Sequence, residues 1–455
     1  MRLRNTVGPT IMMSLGRWLP IVLALLVAMI VLAWQIFVLP VPEGLGGQPR
    51  SGQMPATWTA PVWLIVAFWL GLTATLTTVL SPLWGVAVYC CVLYLLPVHT
   101  PAWIYLLWLQ LPSLIAGVTL IAWLGQMHSE SDRLNNLSRI VSCFGAGVFL
   151  WYGIAILVQF FEGQVWRPPL QFHPLRIFDA MVIFLVAATA PVRLHALRLV
   201  VIAMSATVVV RFFWVQTSVR TDGDIAAIAT LTGVTAGALG LIERSILSRL
   251  AFAGVTVCCG VIVWQTQNRA ALLAVAAASL AALICARRRG IGLLVVAVVA
   301  LGGWQLFADS NYARRFEAGF ASLEAIANSA RMRTWAGGLE MALEHPLTGV
   351  GPGNFVYHIG DYDPDFTHHS AHNALVSAAA ETGFPGALFL AGLILGCLLR
   401  ALLCATQYRQ TTALVLACGI AAYITLTTFL SFTFLAFAYF LMGLTLADDT
   451  PPGRA

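Results

Sequence analysis

The sequence predicts an all-α polytopic integral membrane protein of about 12–14 transmembrane helices, with one large helical loop on a single face. Three observations predict it. Of the 455 residues, 59% are hydrophobic and only 10% charged, against roughly 25% charged in a soluble domain. Apolar runs of about 17–25 residues, long enough to cross a bilayer as a helix, recur along the chain. One long segment, 308–385, lacks such a run and gathers much of the polar content.

The predicted spans lie near 18–40, 61–80, 82–98, 101–125, 139–160, 177–192, 197–216, 224–242, 250–266, 270–286, 290–307, 386–405, 411–429 and 431–447. Two of the shorter ones have the length of interfacial helices; with or without them the count is even, so both termini face the same side. The N-terminus, MRLRNTVGPTIMMSLGRW, is basic and leads into an apolar run with no small-residue cleavage site. It reads as a retained first span rather than a signal peptide. Arg2, Arg4 and Arg17 then place the N-terminus in the cytoplasm. Alternation from there puts Arg133, Arg139, Arg193, Arg198, Arg244, Arg249, Arg287 to Arg289 and Arg409 on the cytoplasmic side, as the positive-inside rule expects. Trp166, Trp214, Trp264 and Trp304 fall at the opposite ends, where an interfacial belt would sit. Within the spans Arg400 is the main charge. The chain therefore divides into an N-terminal bundle (1–307), an extramembrane loop with short helices (308–385), and C-terminal spans with a short cytoplasmic tail (386–455).

All 25 basic residues are arginine. Without lysine there is no Walker A phosphate loop and no Schiff-base chemistry. The net charge of +6 is scattered over many loops, so the expected partner is membrane lipid and not nucleic acid. The nine cysteines fall in apolar runs and read as small core hydrophobes rather than disulfides.

Within 308–385, DYDPDF (Asp361 to Phe366) spaces three carboxylates two apart. An EF-hand counted from Asp361 needs Gly and Glu where Phe366 and His372 stand. The acids read as solvated loop residues, and no metal site is predicted. GVGPGNF (Gly349 to Phe355) follows no βαβ strand, so it reads as a tight turn that ends the helix around Trp335 to Glu344, not as a nucleotide loop.

The stretch HHSAHNALVSAAAETGFPGAL begins at His368. Ser370 can cap a helix over Ala371 to Thr382, with Gly383 as its C-cap and Pro385 blocking continuation. His372 then lies in the first turn, where the positive end of the helix dipole disfavours imidazolium. A neutral imidazole suits a general base; the residues alone leave a structural histidine open as well. His368 and His369 precede the cap and are free to support a ligand. Arginines on the non-cytoplasmic side form the other group. Arg269 lies between two spans in TQNRAALL, Arg211 in the last turns of its span, and Arg220 in the loop after it. Charges beside hydrocarbon are costly and usually functional, and the planar fork of arginine matches phosphate oxygens.

Together, RMRTWAGGLEMALEHPLTGVGPGNF and AHNALVSAAAETGFPGAL resemble the shared region of the O-antigen ligase and polymerase superfamily. The matches are Arg331 with Trp335, Pro346 with Gly349 and Gly351, His372 with Asn373, and Gly383 with Gly386. TQNRAALLA resembles the family's Ser-Arg-Gly segment, with Asn268 for the serine and Ala270 for the glycine. The resemblance covers roughly 265–390. It implies a GT-C-like membrane glycosyltransferase of the bacterial inner membrane, with its active site and the 308–385 loop facing the periplasm. Such an enzyme moves a glycan from undecaprenyl pyrophosphate; in a ligase the acceptor is the lipid A–core oligosaccharide, and neither metal nor nucleotide is required. His372 would be the catalytic base and Arg269 the pyrophosphate ligand. Arg211 or Arg220 would fill the place of a second arginine, with Arg331, Asn373, His369 and His368 in support.

Within the same superfamily, the alternatives are an O-antigen polymerase and a protein O-oligosaccharyltransferase. The modest length, with no added C-terminal domain, favours the ligase. A transporter or flippase would place ionisable groups at the bilayer midplane; here they gather at one face.

Overall fold

A computed structural model of the chain describes residues 59–95, 111–126, 136–161, 175–190, 192–214, 223–266, 268–285, 329–367, 369–408, 410–430 and 435–447. Among these residues all regular structure is helical, so the expected all-α polytopic membrane fold is what forms. The predicted spans at 18–40 and 290–307 lie outside the described residues, as do Arg2, Arg4, Arg17, Arg133, Arg287 to Arg289 and Arg409. Contacts group residues 1–71 with 97–111 as one unit and 72–96 with 112–455 as a second. The second holds everything described from residue 112 onward, the candidate site included.

In chain order the helices are α1 (Thr59–Val79), α2 (Pro82–Leu95), α3 (Leu111–Gln126), α4 (Asn136–Phe161), α5 (Leu175–Ala188), α6 (Arg193–Trp214), α7 (Gly223–Ile242), α8 (Ile246–Thr266) and α9 (Arg269–Cys285). After the undescribed stretch come α10 (Ala330–Glu344), α11 (Phe355–Tyr362), α12 (Ala374–Thr406), α13 (Thr411–Phe429) and α14 (Ala436–Leu444). Six described helices, α4, α6, α7, α8, α12 and α13, are long and apolar enough to cross a membrane. All nine cysteines are free thiols.

Arg193, Arg198, Arg249 and Arg400 tie helix ends together at one end of the bundle. Arg193 at the start of α6 donates to Gln410 Oε1 ahead of α13 (3.2 Å) and to the Thr445 carbonyl after α14 (3.4 Å). Arg400, late in α12, donates to the same carbonyl. Arg198 makes a two-point pair with Glu243 at the end of α7, and Arg249 in α8 donates to the Glu243 carbonyl (2.6 Å). The burial of Arg400, 5% exposed, is thus matched by a backbone acceptor. Another buried cation, Arg176, was not singled out in the sequence. Arg176 in α5 pairs with Asp179 (3.1 Å), and the Tyr89 hydroxyl of α2 donates to the same carboxylate oxygen (2.8 Å). Low-dielectric surroundings demand this kind of matching.

Helix direction then decides what gathers at the other end. There α6 finishes, carrying Arg211; α9 begins, with Arg269 its first residue; α13 ends at Phe429; and the chain enters α12 just after His372.

Helix α12 positions the site. Its 33 residues would reach about 50 Å at 1.5 Å per residue, well beyond a hydrocarbon core of about 30 Å. It breaks at Gly383, whose φ of 71° and ψ of 179° are non-helical, and Pro385 opens the arm that follows. This is the stop predicted from Gly and Pro, with helix resuming beyond it. The lower arm packs antiparallel on α4. Small residues allow close approach: a Cβ on Gly147 would lie 2.4 Å from the Phe389 ring, and one on Gly392 would lie 2.4 Å from Phe144.

The break is held by the turn after α10. Phe384 N donates to the Pro346 carbonyl (3.0 Å), and Val350 N donates to the Ala380 carbonyl (2.8 Å). Trp151 of α4 donates its indole N–H to both the Leu347 and Thr382 carbonyls, at 3.0 Å each. Gln159, two turns along α4, donates to the Val350 carbonyl (2.9 Å).

The conformation of Gly383 is one that essentially only glycine adopts, and a Cβ there would lie 2.4 Å from the Leu347 carbonyl oxygen. Gly383→Ala is therefore expected to cost about 1–3 kcal/mol from backbone strain alone, with more from the clash. Thermal unfolding of the detergent-solubilised protein reads it; an unchanged midpoint would contradict the clamp.

Candidate functional site at the entry to α12

Four short elements build the site. Helix α10 is capped by Ser329, whose Oγ accepts from Met332 N (3.4 Å). It ends at Glu344, and the chain turns through Gly349, Gly351 and Gly353, all at positive φ. A Cβ on Gly349 would sit 2.3 Å from the Glu381 backbone, so the turn lies directly on α12. Helix α11 follows, then a 3₁₀ turn at Pro364–Phe366. The core beneath is made of Met341, Val350, Phe355, Ile359, Ala371 and Ala380.

Helix α10 holds the segment leading to His372 at two points. Arg333 makes a two-point ion pair with Asp363 (2.8 and 2.6 Å) and reaches Asp365 (2.8 Å). Its guanidinium lies over the Phe366 ring, 4.7 Å from the centroid. Asp363 is thus a shielded, ion-paired group, which corrects the reading of it as solvated, whereas Asp361 and Asp365 keep exposed side chains as read. The sequence hides this because the partner lies 30 residues away. Two residues along, Trp335 donates its indole N–H to the carbonyl of Ala371 (2.8 Å).

His372 comes next, with φ of 49°, the one non-glycine residue at positive φ among the described residues. Such a conformation is uncommon outside glycine and concentrates at functional sites. The cap is Asn373, not Ser370. The Asn373 Oδ1 accepts from Leu375 N (2.9 Å) and Val376 N (3.1 Å), and α12 begins at Ala374. His372 thus precedes the helix rather than lying in its first turn, because two cap-forming residues compete and the second wins. His372 as a whole residue is exposed, while its ring is partly shielded, and its Nε2 is 3.5 Å from Ser370 Oγ. Its pKa is lowered from 6.5, first by partial desolvation, then by the charge of Arg331 and by His369. The expectation of a neutral histidine stands, with desolvation and Arg331 as its causes.

Arg331 is exposed, and its guanidinium lies over Phe429 at the end of α13, 5.7 Å from the ring centroid. That contact ties α10 to the bundle end where α9 begins with Arg269. Asn268 accepts from Ala271 N through Oδ1 (3.2 Å) and so caps α9, a task serine performs equally well. His369 is exposed, edge-on to Phe366 at 5.4 Å, with Nδ1 3.2 Å from the Thr367 carbonyl. Arg211 lies three residues from the end of α6. Arg220 and His368 lie outside the described residues. The structure thus brings His372, Arg331, His369 and the helix ends carrying Arg269 and Arg211 to one end of the bundle.

Sequence reading passed over three residues. Trp151 and Gln159 of α4 clamp a turn almost 200 positions away and leave no local pattern. Glu381 accepts from Phe355 N (3.4 Å) at the start of α11, where the N-cap residue Asn354 makes no side-chain cap bond.

Removing the Asn373 cap should cost about 1 kcal/mol. Asn373→Ala is therefore expected to unfold earlier than wild type, and Asn373→Asp to keep most of the stability. Equal unfolding of Asn373→Ala and wild type would contradict the cap assignment.

Compared with known families, residues 247–391 match the family model described as O-antigen ligase. No curated protein matches the chain. The matched segment spans α8, α9, α10, α11, the clamp and the upper part of α12. Residues 247–391, which include Arg269, Arg331 and His372, are thus similar to the O-antigen ligase family.

Proposed function

We propose that this multi-pass membrane protein is an O-antigen ligase. It transfers a glycan from undecaprenyl pyrophosphate to the lipid A–core oligosaccharide at the periplasmic face of the bacterial inner membrane. The observation that carries the reading is the strained, neutral-leaning His372 beside Arg331, at the bundle end where Arg269 and Arg211 emerge, within a segment matching the O-antigen ligase family. That family implies lipid-linked glycan substrates in general.

The chemistry follows from the residue types. The donor's anomeric carbon is already activated by its pyrophosphate leaving group. The enzyme must remove a proton from the acceptor hydroxyl and stabilise the departing negative charge. His372 accepts the proton as general base. Arg269, with Arg211 or Arg220, holds the pyrophosphate through paired N–H donors. Direct displacement by the activated hydroxyl inverts the anomeric carbon. The activation resides in the donor, so the reaction uses neither ATP nor metal. Arg331, Asn373, His369 and His368 support the base. The domain division into 1–307, 308–385 and 386–455 is carried forward on the same reading.

The test is transfer in EDTA from undecaprenyl-pyrophosphate-linked glycan to purified core lipid A. Wild type is expected to transfer and His372→Ala to lose activity by about 10²–10⁴-fold. Normal transfer by His372→Ala would overturn the base assignment. Transfer only to a second donor molecule, or only to a pilin, would replace the ligase with a polymerase or a protein O-oligosaccharyltransferase.

The pH dependence has a definite sign. A histidine whose pKa is lowered stays neutral, and so basic, below its ordinary value of 6.5. The acid limb of kcat/KM should therefore have its midpoint below about 6.5, and Arg331→Gln should move it upward. The same shift makes the folded state bind fewer protons than the unfolded state near this pH. Stability from this group is present above 6.5 and declines as pH falls through the lowered value. A midpoint above 6.5 in wild type would contradict the site's electrostatics.

A further inference from the structure

Trp335 reaches the candidate site through the backbone. Its indole N–H donates to the carbonyl of Ala371, the peptide group immediately before His372. Ala371 itself is fully buried, so this carbonyl has little freedom to find another donor. On the other side of His372, the Asn373 side chain caps α12 through two backbone amides. The histidine is therefore held between two fixed points, and it has a left-handed backbone, φ 49°. Such a conformation is disfavoured outside glycine and persists only where neighbouring contacts impose it. Arg331 lies one turn earlier on α10, and its charge acts on the His372 ring. A single rigid helix thus supplies both the tether and the neighbouring cation.

We infer that Trp335 is a positioning residue: its N–H bond to Ala371 holds His372 in the left-handed conformation and directs the imidazole toward the acceptor hydroxyl. The inference rests on the reading of His372 as the base. It differs from a plain packing role because it assigns the effect to one hydrogen bond, not to the ring's volume. Without that bond, the peptide before His372 relaxes toward ordinary backbone, and the imidazole leaves its partly shielded place beside Arg331.

Two replacements separate the bond from the volume. Trp335→Phe keeps an aromatic ring and loses the N–H. Incorporation of β-(3-benzothienyl)alanine at 335 keeps the bicyclic shape and loses only the donor. Both should lower kcat by on the order of 10- to 100-fold, leave KM for the undecaprenyl-pyrophosphate-linked glycan little changed, and raise the midpoint of the acid limb. A merely structural role would leave that midpoint in place. A readout without turnover is His372 modification by diethyl pyrocarbonate, mapped by mass spectrometry on folded protein at mildly alkaline pH. It should be faster in both variants than in wild type. Wild-type kcat, midpoint and modification rate in the benzothienyl variant would overturn the inference. Loss of transfer in His372→Ala alongside such wild-type behaviour would leave the base assignment standing. Faster modification in a chain that transfers no glycan would keep the tether and remove the ligase reading.

Discussion

The architecture of the site depends on one backbone clamp. The turn after α10 exchanges hydrogen bonds with the break in α12, Phe384 N to Pro346 O and Val350 N to Ala380 O. A helix broken within a membrane protein exposes amides and carbonyls that lipid cannot satisfy. Here the turn supplies some of the partners, and Trp151 bridges a carbonyl on each side. The glycines are the physical requirement for this arrangement. Gly383 needs a backbone conformation that other residues avoid, and Gly349 lies where a side chain would overlap the α12 backbone.

Everything nearer the chemistry is built on that clamp. It fixes the upper arm of α12, which Asn373 caps. It also fixes the end of α10, whose opposite half reaches Ala371 through Trp335, Asp363 through Arg333, and Phe429 through Arg331. The residues around His372 are therefore tied to two spans, α12 and α13, rather than carried on a free loop. This suits a base that must meet an acceptor hydroxyl and a lipid-anchored leaving group in one geometry.

The fold was largely legible in the sequence, because span length and apolar composition obey a direct physical limit. The break at Gly383 and Pro385 was legible too, since glycine and proline punctuate helices by conformation alone. His372 and Asn373 stood out through their residue types, although the cap lay three residues later than expected. The pairing of Asp363 and Asp365 with Arg333 was not legible, and neither was the reach of Trp151 and Gln159. Those contacts join distant segments and impose no local periodicity. Arg176 and Asp179 are different. Their i, i+3 spacing at the start of a span was visible, and the charge count along the spans passed over it.

The central claim is that this end of the bundle holds a lipid pyrophosphate with one group and removes a proton with another. The most direct measurement is binding of undecaprenyl-pyrophosphate-linked glycan to wild type, His372→Ala and Arg269→Ala, with single-turnover transfer followed in parallel. The account predicts that His372→Ala binds donor as wild type does but fails to transfer, while Arg269→Ala loses binding. Donor binding unchanged in Arg269→Ala, or turnover unchanged in His372→Ala, would contradict it.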